Sequence, residues 1–150
     1  MEFQRIRSEN IPVPEAEIAG LVIGLLLQGF IGLLSFPSFS FISITGWAFF
    51  GVGFMIASWA VLEAGDQRIS SPERLIMNSP YCVSRNPMYL GWMGIYLGLG
   101  FVFYSPWIIV LFPLVFAYNH FVDIRREERQ LHAKFGRAYE EYCKRVPRYF

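Results

Sequence analysis

Acid, lysine and arginine are absent from three long stretches of this 150-residue chain, 18–38, 39–62 and 88–122. These stretches also lack polar residues at helical spacing, which a soluble helical bundle needs on its outer faces. No ionisable group sits near their midpoints, as a small four-helix exporter would require, because Glu15, Glu17 and Glu63 fall at the ends. Excess charge of either sign is missing as well. The net charge is +1, so no polyanion-binding surface is expected and no nucleic-acid partner is predicted. The opening MEFQRIRSEN has mixed charge and neither an apolar core nor a small-residue cleavage site, so no signal peptide is expected. Cysteine is scarce, with Cys82 and Cys143 alone, and neither a disulfide framework nor a metal site is predicted.

What is present is largely apolar. The apolar share of 54% exceeds the roughly 45–50% usual for soluble domains. A bilayer core about 30 Å thick takes about 20 helical residues to cross. The first two charge-free runs therefore make one span each. The third is too long for one and has Ser105-Pro106 at its middle, so it reads as a tight hairpin of two. The predicted fold is all-α and membrane-embedded, a single domain over 1–150. It has four transmembrane helices near 18–37, 40–62, 88–104 and 107–122, followed by an amphipathic helix in the tail 123–150. Arg5 and Arg7 precede the first span, Arg68, Arg74 and Arg85 lie between the second and third, and eight lysines and arginines follow Val122. The loop SFPSFS has none, so both termini and the central loop are predicted to face the cytoplasm.

Chemistry must then reside in the polar segments. In the tail, Leu131, Phe135, Tyr139, Tyr142 and Val146 recur three or four apart, which predicts a helix with a charged outer face, lying on the membrane surface and loosened at Gly136. Glu127 and Glu128 sit where the fourth span meets water, beside anionic headgroups, and need cations. Arg125, Arg126 and Arg129 could supply them at helical spacing; a bound organic cation is the other reading. Gly91, Gly94 and Gly98 leave one face of the third helix bare, for close helix packing or for a flat ligand. In PYCVSRNPMYLG (80–91), Pro87 suits the first turn of that helix and Asn86 its N-cap. Tyr81, Arg85 and Tyr89 converge there with the glutamate pair.

Two segments carry a resemblance: AGDQRISSPERLIMNSPYCVSRNPMYLGWMGIYLGLG, and RREERQLHAKFGRAYEEYCKRVPRYF. Their order of elements is Arg-His/Asn-Pro-x-Tyr-x-Gly, a hairpin, Glu-Glu, Phe-Gly-x-x-Tyr and a terminal Val-Pro-Arg. Over roughly 62–150 the chain resembles the superfamily of isoprenylcysteine carboxyl methyltransferases and phospholipid methyltransferases. The resemblance implies S-adenosylmethionine as methyl donor, bound at the cytoplasmic mouth of the helices. The implied cofactor contacts are Glu73, Arg74, Leu75, Ile76, Tyr81, Arg85, Asn86, Pro87, Met88, Tyr89 and Glu127. Carboxylates suit the donor's sulfonium and ammonium, Arg85 its carboxylate, and aromatic or apolar walls its adenine. Asn86 replaces the motif's commoner histidine. Asp123 stands where the prenylcysteine enzymes carry a substrate-binding arginine.

Methyl transfer is an in-line displacement, so the protein's main task is to hold donor and acceptor together without water. A carboxylate acceptor needs no base. An amine or thiol must lose a proton, for which His120 and Glu128 are the candidate catalytic residues. The expected acceptor is a lipophilic molecule entering from the bilayer. The rival readings are an NADPH-dependent reductase and a non-catalytic membrane protein, and ligand titration separates them.

Overall fold

The computed structural model describes residues 14–31, 39–65 and 74–150. Five helices account for most of them, and no strand occurs among the described residues. They are α1 (Glu15–Ile31), α2 (Ser40–Ala64), α3 (Pro87–Val102), α4 (Pro106–Phe135) and α5 (Arg137–Arg145). The first helix starts one turn earlier than the charge pattern predicts. Its expected continuation to 37 lies outside the described residues, as do Glu73 and the arginines at 5, 7 and 68.

The hairpin is as tight as expected. Three residues join α3 to α4, with the Ser105 N–H donating to the Gly100 carbonyl at 3.0 Å. The predicted end of the fourth span at 122 is not a helix end. The α-helical segment Pro106–Tyr118 passes through one π turn, Asn119–Asp123, and resumes as Ile124–Phe135. Backbone hydrogen bonding need not stop when side chains turn from apolar to charged, and so the glutamate pair rides on the same helix as the apolar run. Gly136, at φ +50°, ends it, and α5 starts at once.

Two kinds of packing hold the helices. Backbone meets backbone between α2 and α3: a Cβ added at Gly53 would lie 2.6 Å from the Gly91 carbonyl, and one at Gly98 would lie 2.6 Å from the Phe50 nitrogen. The bare face of α3 is thus filled by α2, and packing rather than a ligand groove accounts for it. Between α1, α3 and α4, side chains form the core of Tyr96, Ile108 and Val115. The Tyr96 hydroxyl is satisfied there by the Ile108 carbonyl at 3.0 Å.

Outer faces are apolar. Val22, Leu26 and Phe30 on α1, and Phe54, Met55 and Leu62 on α2, are exposed. Two helices, Ser40–Ala64 and Pro106–Phe135, are long and apolar enough to cross a membrane. The apolar stripe of the tail is spent on protein packing rather than left facing outward. Tyr139, Tyr142 and Val146 form a second core with Leu75, Leu131 and Phe135. Glu140, Glu141, Lys144 and Arg145 stay exposed on the other side, as their spacing predicts.

Candidate active site

The site is built where the start of α3, the middle of α4 and the last residues of the chain meet. Pro87 occupies the first turn of α3. Asn86 holds the N-cap position, but its side chain makes no capping bond. Its Nδ2 instead donates to the Arg148 carbonyl at 3.1 Å. The Ser84 hydroxyl donates to the same carbonyl at 3.1 Å, and the Arg85 N–H donates to the Pro147 carbonyl at 3.0 Å. The expectation of an Asn86 side-chain cap is therefore corrected. The Arg148 carbonyl, turned in against the start of α3, takes its donors from there, and the amide supplies one.

Glu127 points to α3. The Tyr89 hydroxyl donates to its Oε1 at 2.8 Å. No lysine or arginine pairs with this carboxylate among the described residues. The apolar part of α4 ends at Val122, and Glu127 lies more than a turn beyond it. Burial raises its pKa to about 7; the Tyr89 hydrogen bond opposes this, and the charges of Asp123 and Glu128 add to it. Tyr81 is close enough for its own pKa to be raised, by burial first and then by the Glu127 charge. Its hydroxyl donates to the Ala60 carbonyl of α2 at 3.3 Å.

Glu128, one residue on, has the opposite environment. Arg148 grips it in a fork, Nε donating to Oε1 at 3.0 Å and Nη2 to Oε2. Arg85 Nη1 adds an ion pair at 3.2 Å and also donates to Cys143 Sγ at 2.7 Å. The cations of Glu128 thus come from a distant loop and the chain's end, not from Arg125, Arg126 or Arg129 at helical spacing. Arg85 Nε is buried and has no partner among the described residues.

His120, in the π turn, has both ring nitrogens engaged. Arg148 Nη1 lies 3.1 Å from Nε2, and the Tyr149 hydroxyl lies 2.8 Å from Nδ1. Arginine can only donate, so Nε2 accepts and the proton sits on Nδ1, facing Tyr149. His120 and Glu128 are therefore linked through one guanidinium, and neither carries an unoccupied basic atom directed at Glu127.

The remaining predicted residues divide. Met88 and Pro87 are buried in the first turn of α3. Leu75 packs on the tail cluster, and Ile76 beside it is half-buried. Arg74 is exposed, and Glu73 lies outside the described residues. Sequence reasoning missed Arg148, although Val-Pro-Arg was among the motif's elements. It also missed the pair of Glu17, at 4% exposure, and Asn119, at 1%, joined at 2.7 Å between α1 and the π turn. Those two are 102 positions apart, and no local spacing signals their meeting.

A sequence profile described as phospholipid methyltransferase matches residues 19–138. This chain belongs to the phospholipid methyltransferase family. The match covers most of the chain, including α1 and α2, and places the protein in the superfamily of membrane methyltransferases that its motifs resemble. No curated protein and no solved structure matches it.

Proposed function

We propose that this protein is a multi-pass membrane methyltransferase that transfers the methyl group of S-adenosylmethionine to a lipophilic acceptor. The reading includes four spans with both termini in the cytoplasm, supported by the distribution of lysine and arginine. The observation that carries it is Glu127: a half-buried carboxylate, held by a tyrosine and paired with no cation among the described residues. Burying such a charge is costly unless a cation meets it, and the proposed donor has two positive centres.

The residues present fit that donor. Glu127 would hold a positive centre, with Tyr89 fixing the carboxylate's direction. The buried, unpartnered Arg85 Nε offers one donor for a carboxylate, although Nη1 is spent on Glu128 and Cys143. Tyr81, Met88, Leu75 and Ile76 supply the apolar and aromatic wall. When bound, S-adenosylmethionine brings an electrophilic methyl carbon, so no protein nucleophile is needed. What the chain contributes is alignment and exclusion of water.

Where an amine or thiol acceptor must lose a proton, His120 can take it only at Nε2, after Arg148 Nη1 has moved off that nitrogen. Glu128 accepts from two guanidinium groups and acts as a strut. The Nδ1 proton of His120 faces the Tyr149 hydroxyl, which fixes the tautomer and the ring's direction. Calorimetric titration of detergent-purified protein with S-adenosylmethionine, and separately with NADPH, tests the reading. Binding of the former alone, followed by labelled-methyl transfer into a lipid extract, is expected. Binding of NADPH alone, or of neither, would end it.

A further inference from the structure

Residues 146–149 fold back onto the start of α3 and the charged half of α4. The Pro147 and Arg148 carbonyls take three hydrogen bonds from Ser84, Arg85 and Asn86, just before α3. The Arg148 side chain reaches the other way, to Glu128 and His120 on α4. One residue thus ties the start of α3 to the charged half of α4, through its backbone on one side and its guanidinium on the other. We propose that Arg148 is a positioning residue of the donor site, setting the rotation of α4 so that Glu127 faces Tyr89.

The physical need for such a lock lies one turn upstream. The π turn at Asn119–Asp123 inserts a residue into the helical register, so the rotation of the segment beyond it is set by its own contacts, the packing of Ile124, Leu131 and Phe135 and the clasp on Glu128. Successive residues on a helix point about 100° apart, so fixing Glu128 fixes the direction of Glu127. A guanidinium that forks onto a carboxylate fixes both distance and angle, which a lysine ammonium cannot do. Arg85 reaches Glu128 through one nitrogen only, to the oxygen that Arg148 Nε already shares. The side-chain constraint with two contacts is therefore Arg148.

This proposal rests on the donor-site reading of Glu127, but its first readout does not use the donor. Full-length protein is labelled with carbon-13 at the glutamate carboxyls, and the Glu127 signal is assigned by its loss in Glu127→Gln. The groups facing Glu127 are Tyr89 from α3, Tyr81 from the preceding loop, and Asp123 and Glu128 on its own helix. In the wild type its titration midpoint is expected at about 7. In Arg148→Met the carboxylate swings out, and the midpoint is expected to fall by about one unit or more towards the ordinary glutamate range. S-adenosylmethionine affinity at pH 8 should fall about tenfold, and Arg148→Lys should restore part of both effects. A loss of thermal stability alone would move neither. Should Arg148→Met fail to accumulate, Arg148→Gln, which keeps a hydrogen-bond donor but not the fork and leaves the Glu128 charge in place, is scored in the same way. An unchanged midpoint in the folded variant overturns the proposal. A midpoint that falls in a protein that never binds S-adenosylmethionine keeps the positioning role and ends the donor-site reading instead.

Discussion

The Tyr89 hydroxyl reaches Glu127 Oε1 at 2.8 Å between α3 and α4, and no cation among the described residues competes for that carboxylate. The adjacent Glu128 is held by two arginines. Two neighbouring acids on one helix thus have different surroundings: one meets a tyrosine hydroxyl, the other two guanidinium groups.

Replacing Glu127 tests the first role. Glu127→Gln keeps the shape and removes the charge, so S-adenosylmethionine binding should weaken by roughly ten- to a hundredfold. Glu140→Gln, whose exposed acid meets only His132, should change little. Glu128→Gln should lower thermal stability instead, because Arg85 and Arg148 lose a charged partner. Equal affinities for Glu127→Gln and wild type in calorimetry would remove Glu127 from the site.

The pH dependence has a definite sign. Below about 7 Glu127 is largely protonated in the ligand-free protein and cannot meet a positive charge. Donor affinity should therefore rise as pH increases through about 7 and then level off, with one proton released per ligand bound below the midpoint. In the free protein the linkage runs the other way. A raised folded-state pKa means that the Glu127 contribution to stability is present at low pH and lost as pH rises through about 7. Glu127→Gln should flatten both curves; a slope that persists in it assigns the titration to another group.

Asn86 is expected to matter for the tail clasp. Asn86→Asp keeps a capping residue type but removes the donor to the Arg148 carbonyl, costing about 1–3 kcal/mol. Asn86→His keeps an N–H donor and should lose less. Melting temperatures in detergent compare them, and an Asp variant as stable as wild type would show that the clasp contributes nothing at this position.

Helix contact can be probed with paired glycines on α2. A Cβ at Gly53 would strike backbone atoms of α3, whereas one at Gly51 meets nothing within 4 Å. Gly53→Ala should cost about 1–3 kcal/mol by overpacking, while Gly51→Ala should be neutral or stabilising by up to about 1 kcal/mol through helix propensity. Similar melting curves for both would mean that α2 and α3 do not pack backbone to backbone.

Topology is open to a direct test. Reporter fusions at residue 38 and at the C-terminus should report opposite sides of the membrane. Reports from the same side would sink the four-span arrangement.

The sequence alone determined the helical fold, the turn at Ser105-Pro106, the break at Gly136 and the identity of the glutamate pair. These depend on hydropathy over a window, on proline and glycine, or on a motif, all of which are local. Which partners each acid meets was not local. Glu127 and Glu128 carry the same side chain in adjacent positions, and only the folded chain brings Tyr89 to one and Arg85 and Arg148 to the other. Helical spacing suggested Arg125, Arg126 and Arg129 as partners; the tertiary structure chose residues 43 and 20 positions away. The burial of Asn86, its bond to the Arg148 carbonyl and the Glu17–Asn119 pair follow the same rule. A buried polar group must be satisfied by whatever lies beside it in space, and the approach of the chain's end to the start of α3 is set by packing, which no spacing along the chain records.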